Sequence, residues 1–316
     1  MKKEDVLYMF PEHMRAGWRT VAERAEKLQE IRLRANKSAA VLIDNREWFV
    51  DRAGRLLDRQ PREEGTLPEE LEAVLKHLCQ YSVYAFADEI RQGFLTIQGG
   101  HRVGLSGQVI MEEGNKVRNL KYIRYLNIRM AHEIKGVSEA VLPHLYGADG
   151  QIRNTLLISP PGCGKTTMLR DIIRNVSDGT RYGKGVNVSV VDERSEIAGS
   201  YLGIAQNDVG IRTDVLDGCP KKEGMMMLIR SMAPQVLAVD ELGDEGDIWA
   251  LQMASGCGCR LIATIHGSSL EEIRGKKYMR NVMEEGLFDR YLVLTRKNGC
   301  CETEGIYDRE GKKCLN

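Results

Sequence analysis

The chain has 316 residues, 42% of them hydrophobic and 28% charged, with 45 Lys plus Arg balancing 45 Asp plus Glu. That length suits two domains, the composition is that of a soluble globular protein, and a net charge of zero supplies no overall basic field for nucleic acid. No apolar run approaches the ~20 residues that span a bilayer, and the eight cysteines show no Cys-x-x-Cys pair or finger-spaced His, so neither a membrane helix nor a zinc site is expected.

Taken in order, Met1 to Asp5 mixes Lys with acids and leads into no apolar core, so it reads as no signal peptide. Pro11 to Gln29 predicts a helix with Met14, Trp18, Val21, Ala25 and Leu28 on one face. Glu30 to Arg34 alternates as a half-exposed strand, Ala39 to Ile43 is a second strand, and Trp48 to Val50 continues a hairpin across Asp44-Asn45. Arg55 to Leu67 reads as a loop. Pro68 to Tyr81 opens with Pro and two Glu, as a helix does, and a helical pattern resumes from Tyr84 to Arg91. Phe94 to Ile97 and His101 to Met111 are strands, and Glu113-Gly114-Asn115 is a tight turn into a strand over Val117 to Leu120. Val137 to Leu145 is a helix. The Gly-containing stretch Tyr146 to Gly150 ends it, and the domain boundary is placed there: residues 1–146 are an α+β domain and 147–316 a second domain. From Thr155 onward strands (Thr155–Ile158, Val186–Val191, Val236–Val239, Leu261–Ile265, Tyr291–Thr295) alternate with helices, the pattern of a parallel α/β sheet.

The second domain carries the chemistry. After the apolar strand come Ser159, Pro160, Pro161, Gly162, Cys163, Gly164, Lys165, Thr166 and Thr167, then a helix from Thr166 to Val176. Strand, glycine turn and helix N-terminus make an anion site in which backbone N–H groups and the helix dipole face a phosphate. Lys165 supplies a charge for the outer phosphates and Thr166 a hydroxyl ligand for Mg²⁺. Ser159 stands where such loops usually begin with Gly. Three constellations follow at strand ends, where sheets of this kind bind ligands. Val236 to Val239 ends in Asp240, a candidate to hold the Mg²⁺ shell, and Glu241, a candidate to polarise water. Alternation along a strand would send these two carboxylates to opposite faces. Asp192, Glu193 and Glu196 form an acidic cluster with two readings: positioning of water or Mg²⁺, or the charged start of a helix capped by Ser195. His266, at the end of another strand, is placed to sense a γ-phosphate.

These motifs in this order resemble a RecA-like ATPase with a catalytic glutamate, and more narrowly the secretion ATPases of type II and type IV systems. The acidic box is matched by Asp192, Glu193 and Glu196, the Walker B segment by Val239 to Gly243, and the His box by His266, with one of its histidines present. A closer resemblance is to the stage III sporulation protein AA family of endospore-forming bacteria. It rests on Gly99 to Gly104, Leu126 to Ala131, Val191 to Glu196, Ile262 to Gly267 and Gly286 to Tyr291, and covers nearly the whole chain. The resemblance implies a RecA-like P-loop ATPase domain with a parallel sheet behind a smaller α+β N-terminal domain. It implies an Mg²⁺-dependent ATPase, ATP to ADP and phosphate, driving a secretion-type motor. That motor works with membrane-embedded sporulation proteins between mother cell and forespore. It implies a homo-oligomer, a hexameric ring, in the cytoplasm and held peripherally at the membrane through partners. In the secretion ATPases arginines of the N-terminal domain reach the nucleotide; the candidates here are Arg102 and Arg129, with Arg194 and Arg230 as alternatives. Two other readings stand beside this one: a nucleic-acid-binding P-loop protein, against which the neutral charge counts, and a nucleotide-gated scaffold with little turnover.

Overall fold

The computed structural model describes residues 1–61, 65–112, 116–297 and 300–315; the expected turn at Glu113-Gly114-Asn115 lies outside them. The chain divides into two compact units, Met1–His132 and Glu133–Asn316.

In the first unit, α1 (Lys3–Tyr8) leads into 3-10 turns at Glu12–Trp18 and Ala25–Lys27 around a short α2 (Arg19–Ala22). The single helix expected over Pro11 to Gln29 is therefore broken. Gly17 sits in its middle, where a glycine weakens an α-helix, and Leu28 already belongs to the sheet, opposite Ile43. The strands are β1 (Leu28–Arg34), β2 (Lys37–Ile43), β3 (Arg46–Val50), β4 (Leu56–Leu57), β5 (Phe94–Ile97), β6 (His101–Glu112) and β7 (Lys116–Arg129). They form one antiparallel sheet in the order β4-β3-β2-β1-β7-β6-β5. β7 runs well beyond the Val117 to Leu120 expected, because β1 and β6 pair with it on both sides. Alternation buries Ile31, Leu33, Val103, Leu105, Leu126 and Ile128. The amphipathic α3 (Pro68–Leu78) adds Leu71, Val74, Leu75 and Leu78 to the buried set, and α4 (Ala87–Arg91) adds Ile90.

The second unit begins earlier than the residue-147 boundary expected. The physical reason is packing: Val141, Leu142, Leu145 and Tyr146 share a core with Leu157, Leu169 and Ile173. Asp171 also accepts hydrogen bonds from the Ser138 N–H at 2.9 Å and its hydroxyl at 2.7 Å. Only α5 (Leu142–Leu145) of the expected Val137 to Leu145 helix is helical. Next come β8 (Thr155–Ser159), α6 (Lys165–Asp178), a small hairpin β9 (Gly179–Thr180) and β10 (Gly183–Lys184), β11 (Val188–Asp192), β12 (Thr213–Asp217), α7 (Lys221–Ser231), β13 (Val236–Val239), α8 (Glu245–Gly256), β14 (Arg260–His266), α9 (Leu270–Gly275), α10 (Lys277–Glu284), β15 (Arg290–Lys297), β16 (Cys300–Asp308) and β17 (Lys313–Leu315). The sheet order is β12-β11-β13-β14-β8-β15-β16-β17, parallel from β12 to β15 and antiparallel beyond.

Each central strand is buried on both faces, the arrangement of a parallel sheet covered by helices. One face carries Leu157, Val188, Val190, Val236, Ala238 and Ile262 against α6. The other carries Leu156, Ile158, Val191, Leu237, Val239, Leu261 and Ala263 against α7, α8, α9 and α10. The fold is thus three layers, helix, sheet and helix.

Candidate active site

β8 ends at the fully buried Ser159, and the chain turns into α6 through Gly162 (φ 66°) and Gly164 (φ 72°). Gly164 is the residue from which α6 starts, in a left-handed conformation that a side chain would strain. A Cβ at Gly162 would meet nothing within 4 Å, so that glycine serves backbone conformation rather than packing. The first N–H groups of α6 have no partners within the helix and point out of its N-terminus, which gives the loop its anion-binding character. Arg296 of β15 donates to the Gly162 carbonyl at 3.2 Å and steadies the turn. Cys163 is buried beside Cys301, and burial pushes its thiol up to about 11. It packs the loop as a neutral side chain.

The period-2 rule places the rest. Val236 and Ala238 face α6, so Asp240, two residues on, faces the same way; Ile262 leads likewise to Thr264 and His266. Strand order finishes the assembly. β14 lies between β8 and β13, with His266 opposite Ser159 and Ala263 opposite Val239. One polar cluster results. Lys165, 8% exposed, sets its ammonium 3.3 Å from Asp240 Oδ1 and 3.5 Å from Glu241 Oε2. Thr166 Oγ1 donates to Asp240 Oδ2 at 3.0 Å. His266 Nε2 lies 2.9 Å from Glu241 Oε1, and Arg194 Nη1 lies 3.8 Å from Glu241 Oε2.

Glu241 departs from the opposite-face expectation. Its φ is 45°, a left-handed value uncommon for a residue with a side chain. That backbone turns its carboxylate back onto the Lys165 side, so both acids meet one ammonium. Residues held in this region cluster at functional sites.

The acidic segment lies beside this cluster. Asp192 is 1% exposed; its Oδ1 accepts from the Glu196 N–H at 2.8 Å, and its Oδ2 from Ile197 and Ala198 at 3.0 and 2.8 Å. Burial pushes its carboxyl up to about 6, against those three donors. No helix starts at Ser195, which has a φ of 52° and donates its hydroxyl to Asp217. Glu193 pairs with Lys221. Glu193, Arg194, Glu196, Asp240 and Glu241 line one cleft of about 140 Å³ with Lys221. Two residues given no role from the sequence complete the arrangement. Arg170, one turn into α6, donates to the carbonyls of Glu196 and Ile197 at 2.7 and 2.5 Å. Thr264 bridges Asp240 and Glu241. Helical spacing from Lys165 gives no hint of the first. A polar residue inside an otherwise apolar strand was the available signal for the second.

Arg102 and Arg129 belong to the first unit. They sit directly opposite each other on β6 and β7, with Glu30 of β1 next to Arg129. The Arg102 guanidinium lies over the Phe94 ring at 3.8 Å.

Residues 1–314 match the family model described as sporulation stage III, protein AA. The stage III sporulation protein AA of Bacillus subtilis (strain 168) is 39% identical over 308 residues, 97% of this chain and 95% of that protein. Among solved structures, the pilus retraction motor PilT with bound ADP superposes with a TM-score of 0.59 over 94% of this chain and 82% of its own, at 14% identity. The Legionella pneumophila ATPase DotB gives 0.57 over 92% and 79%, also at 14%. The second unit therefore has the RecA-like fold that these two structures share, and an α+β unit precedes it in the chain. The chain belongs to the stage III sporulation protein AA family.

Proposed function

We propose that this chain is an Mg²⁺-dependent ATPase, converting ATP to ADP and phosphate as the motor of a membrane complex between mother cell and forespore. The observation that carries the reading is the convergence of Lys165, Thr166, Asp240, Glu241 and His266 on one side of the sheet, next to the loop of Gly162 and Gly164. The loop N–H groups and Lys165 hold the triphosphate, with Ser159 to Thr167 forming its cradle. The Thr166 hydroxyl and the Asp240 carboxylate, 3.0 Å apart, are hard oxygen donors that suit Mg²⁺. When bound, Mg²⁺ supplies positive charge for the phosphate oxygens. Glu241 orients a water in line with the γ-phosphate and takes its proton as the new O–P bond forms and the bond to the ADP oxygen breaks. His266 fixes the carboxylate of Glu241 through the 2.9 Å contact. Asp192 keeps the acidic turn folded, which leaves Glu193 and Glu196 on the cleft wall. Arg102 and Arg129 act on the nucleotide of a neighbouring copy in a hexameric ring. Membrane attachment runs through partner proteins.

Lys165→Ala tests the site. ATP binding should weaken about 10- to 100-fold, the scale of losing one charged hydrogen-bond donor, with the folded circular-dichroism spectrum kept. ATP affinity and turnover both at the unsubstituted level would remove the phosphate-loop assignment.

A further inference from the structure

Thr264 is fully buried in the middle of the sheet. Its hydroxyl is used twice. Oγ1 donates to Asp240 Oδ1 and accepts from the Glu241 N–H at 2.8 Å. Its carbonyl is used as well, by the Leu242 N–H at 2.8 Å. Two consecutive N–H groups after β13, those of Glu241 and Leu242, therefore end on one residue of β14. Between them lies the left-handed backbone of Glu241. Such a conformation persists only where its surroundings over-determine it, and here Thr264 makes both bonds that flank it. The same hydroxyl fixes the Asp240 oxygen that faces Lys165 at 3.3 Å.

We propose that Thr264 is a positioning residue for ATP hydrolysis: it holds Glu241 in the backbone conformation that turns its carboxylate toward Lys165, and holds Asp240 beside it. The proposal rests on the ATPase reading above. A hydroxyl at this place does what no apolar side chain of the same shape can, since it donates to a carboxylate and accepts from an N–H at once. Without it, Glu241 relaxes toward the ordinary extended backbone, and its carboxylate swings to the opposite face of the sheet. Among the described residues the Thr264 hydroxyl bonds to Asp240 and Glu241 and not to the phosphate loop, Lys165 or Thr166, so binding of ATP without Mg²⁺ is spared. The effect falls on the chemical step.

The test compares Thr264→Val, which keeps the shape, with Thr264→Ser, which keeps the hydroxyl, in the full chain. ATP affinity and steady-state hydrolysis are both measured. Thr264→Val should lower kcat about 10- to 100-fold, the usual cost of misplacing a reacting group by about an ångström. Its ATP affinity measured without Mg²⁺ should stay within about threefold, so that the loss falls on turnover and not on the phosphate loop. Thr264→Ser should return kcat to near the unsubstituted value. Thr264→Ala stands in if the Val protein does not fold. Unchanged kcat in Thr264→Val overturns the proposal, and so does an equal fall in Val and Ser, which would mean that the hydroxyl by itself does not hold the site. Failure of the unsubstituted chain to hydrolyse ATP overturns the ATPase reading first and this one with it.

Discussion

A carboxylate at the position of Asp192 is costly to charge, and the cost has a sign that can be measured. Its folded-state pKa of about 6 lies above the ordinary 3.8, so the folded chain holds that proton more tightly than the unfolded chain. The contribution to stability is full below about pH 4 and is lost as pH rises through 6, a change of about 3 kcal/mol. Asp192→Asn removes the titration. Denaturant unfolding at pH 4.5 and at pH 7 should show the Asn protein gaining on the unsubstituted one as pH rises; a difference independent of pH contradicts this. His101 in the first unit has the opposite sign. Burial pushes it down to about 4, and its Nδ1 accepts from the Ala131 N–H at 3.0 Å. It therefore stays neutral, and the first unit loses stability as pH falls from 6.5 through 4, again by about 3 kcal/mol. His101→Gln should flatten that loss in acid unfolding followed at Trp18; an unchanged acid limb argues against it. The Lys165, Thr166, Asp240 and Glu241 cluster was legible in the sequence because the spacing of a phosphate loop and a strand-ending acid pair is tied to geometry. The orientation of Glu241 was not, since alternation assumes an ordinary backbone and its φ of 45° breaks the assumption.

Among the elements, strands buried on both faces were the readable ones. β8, β13 and β14 are nearly continuous apolar runs bounded by turn residues. β12 was missed because it is an edge strand: Thr-Asp-Val-Leu-Asp is half polar, and only its pairing with β11 declares it. At the antiparallel end β17 is the other edge strand, and β16, although paired on both sides, is as mixed in polarity as β12. α6 was legible from its periodicity, but its second task was not. Arg170 ties this helix to the acidic turn through the carbonyls of Glu196 and Ile197, and the Asp192 bonds cross the same turn. Arg170→Met keeps the length and removes both donors. It should destabilise the protein by about 2–3 kcal/mol, the scale of charged hydrogen bonds to carbonyls, and speed amide exchange at Ile197 and Ala198. Unchanged protection at those two amides would show that the turn stands without α6.

On the scale of the whole molecule, each unit closes its own core, and the arginines proposed to assist in trans lie in the unit without the phosphate loop. A finger in trans makes specific activity depend on protein concentration. Activity per subunit should rise steeply as the ring assembles, and a mixture of Lys165→Ala with Arg129→Ala or Arg102→Ala should regain some hydrolysis at mixed interfaces, where an intact loop meets an intact arginine. Flat specific activity down to a proven monomer contradicts that arrangement. The proposed hydrolysis turns on one group, Glu241, which faces Lys165 and would activate the water that attacks ATP. The most direct measurement is phosphate release by Glu241→Gln at saturating Mg-ATP, with ATP affinity measured on the same protein. Binding should be undiminished and hydrolysis slower by at least ~100-fold, the scale of losing a general base. Hydrolysis at the unsubstituted rate would contradict it.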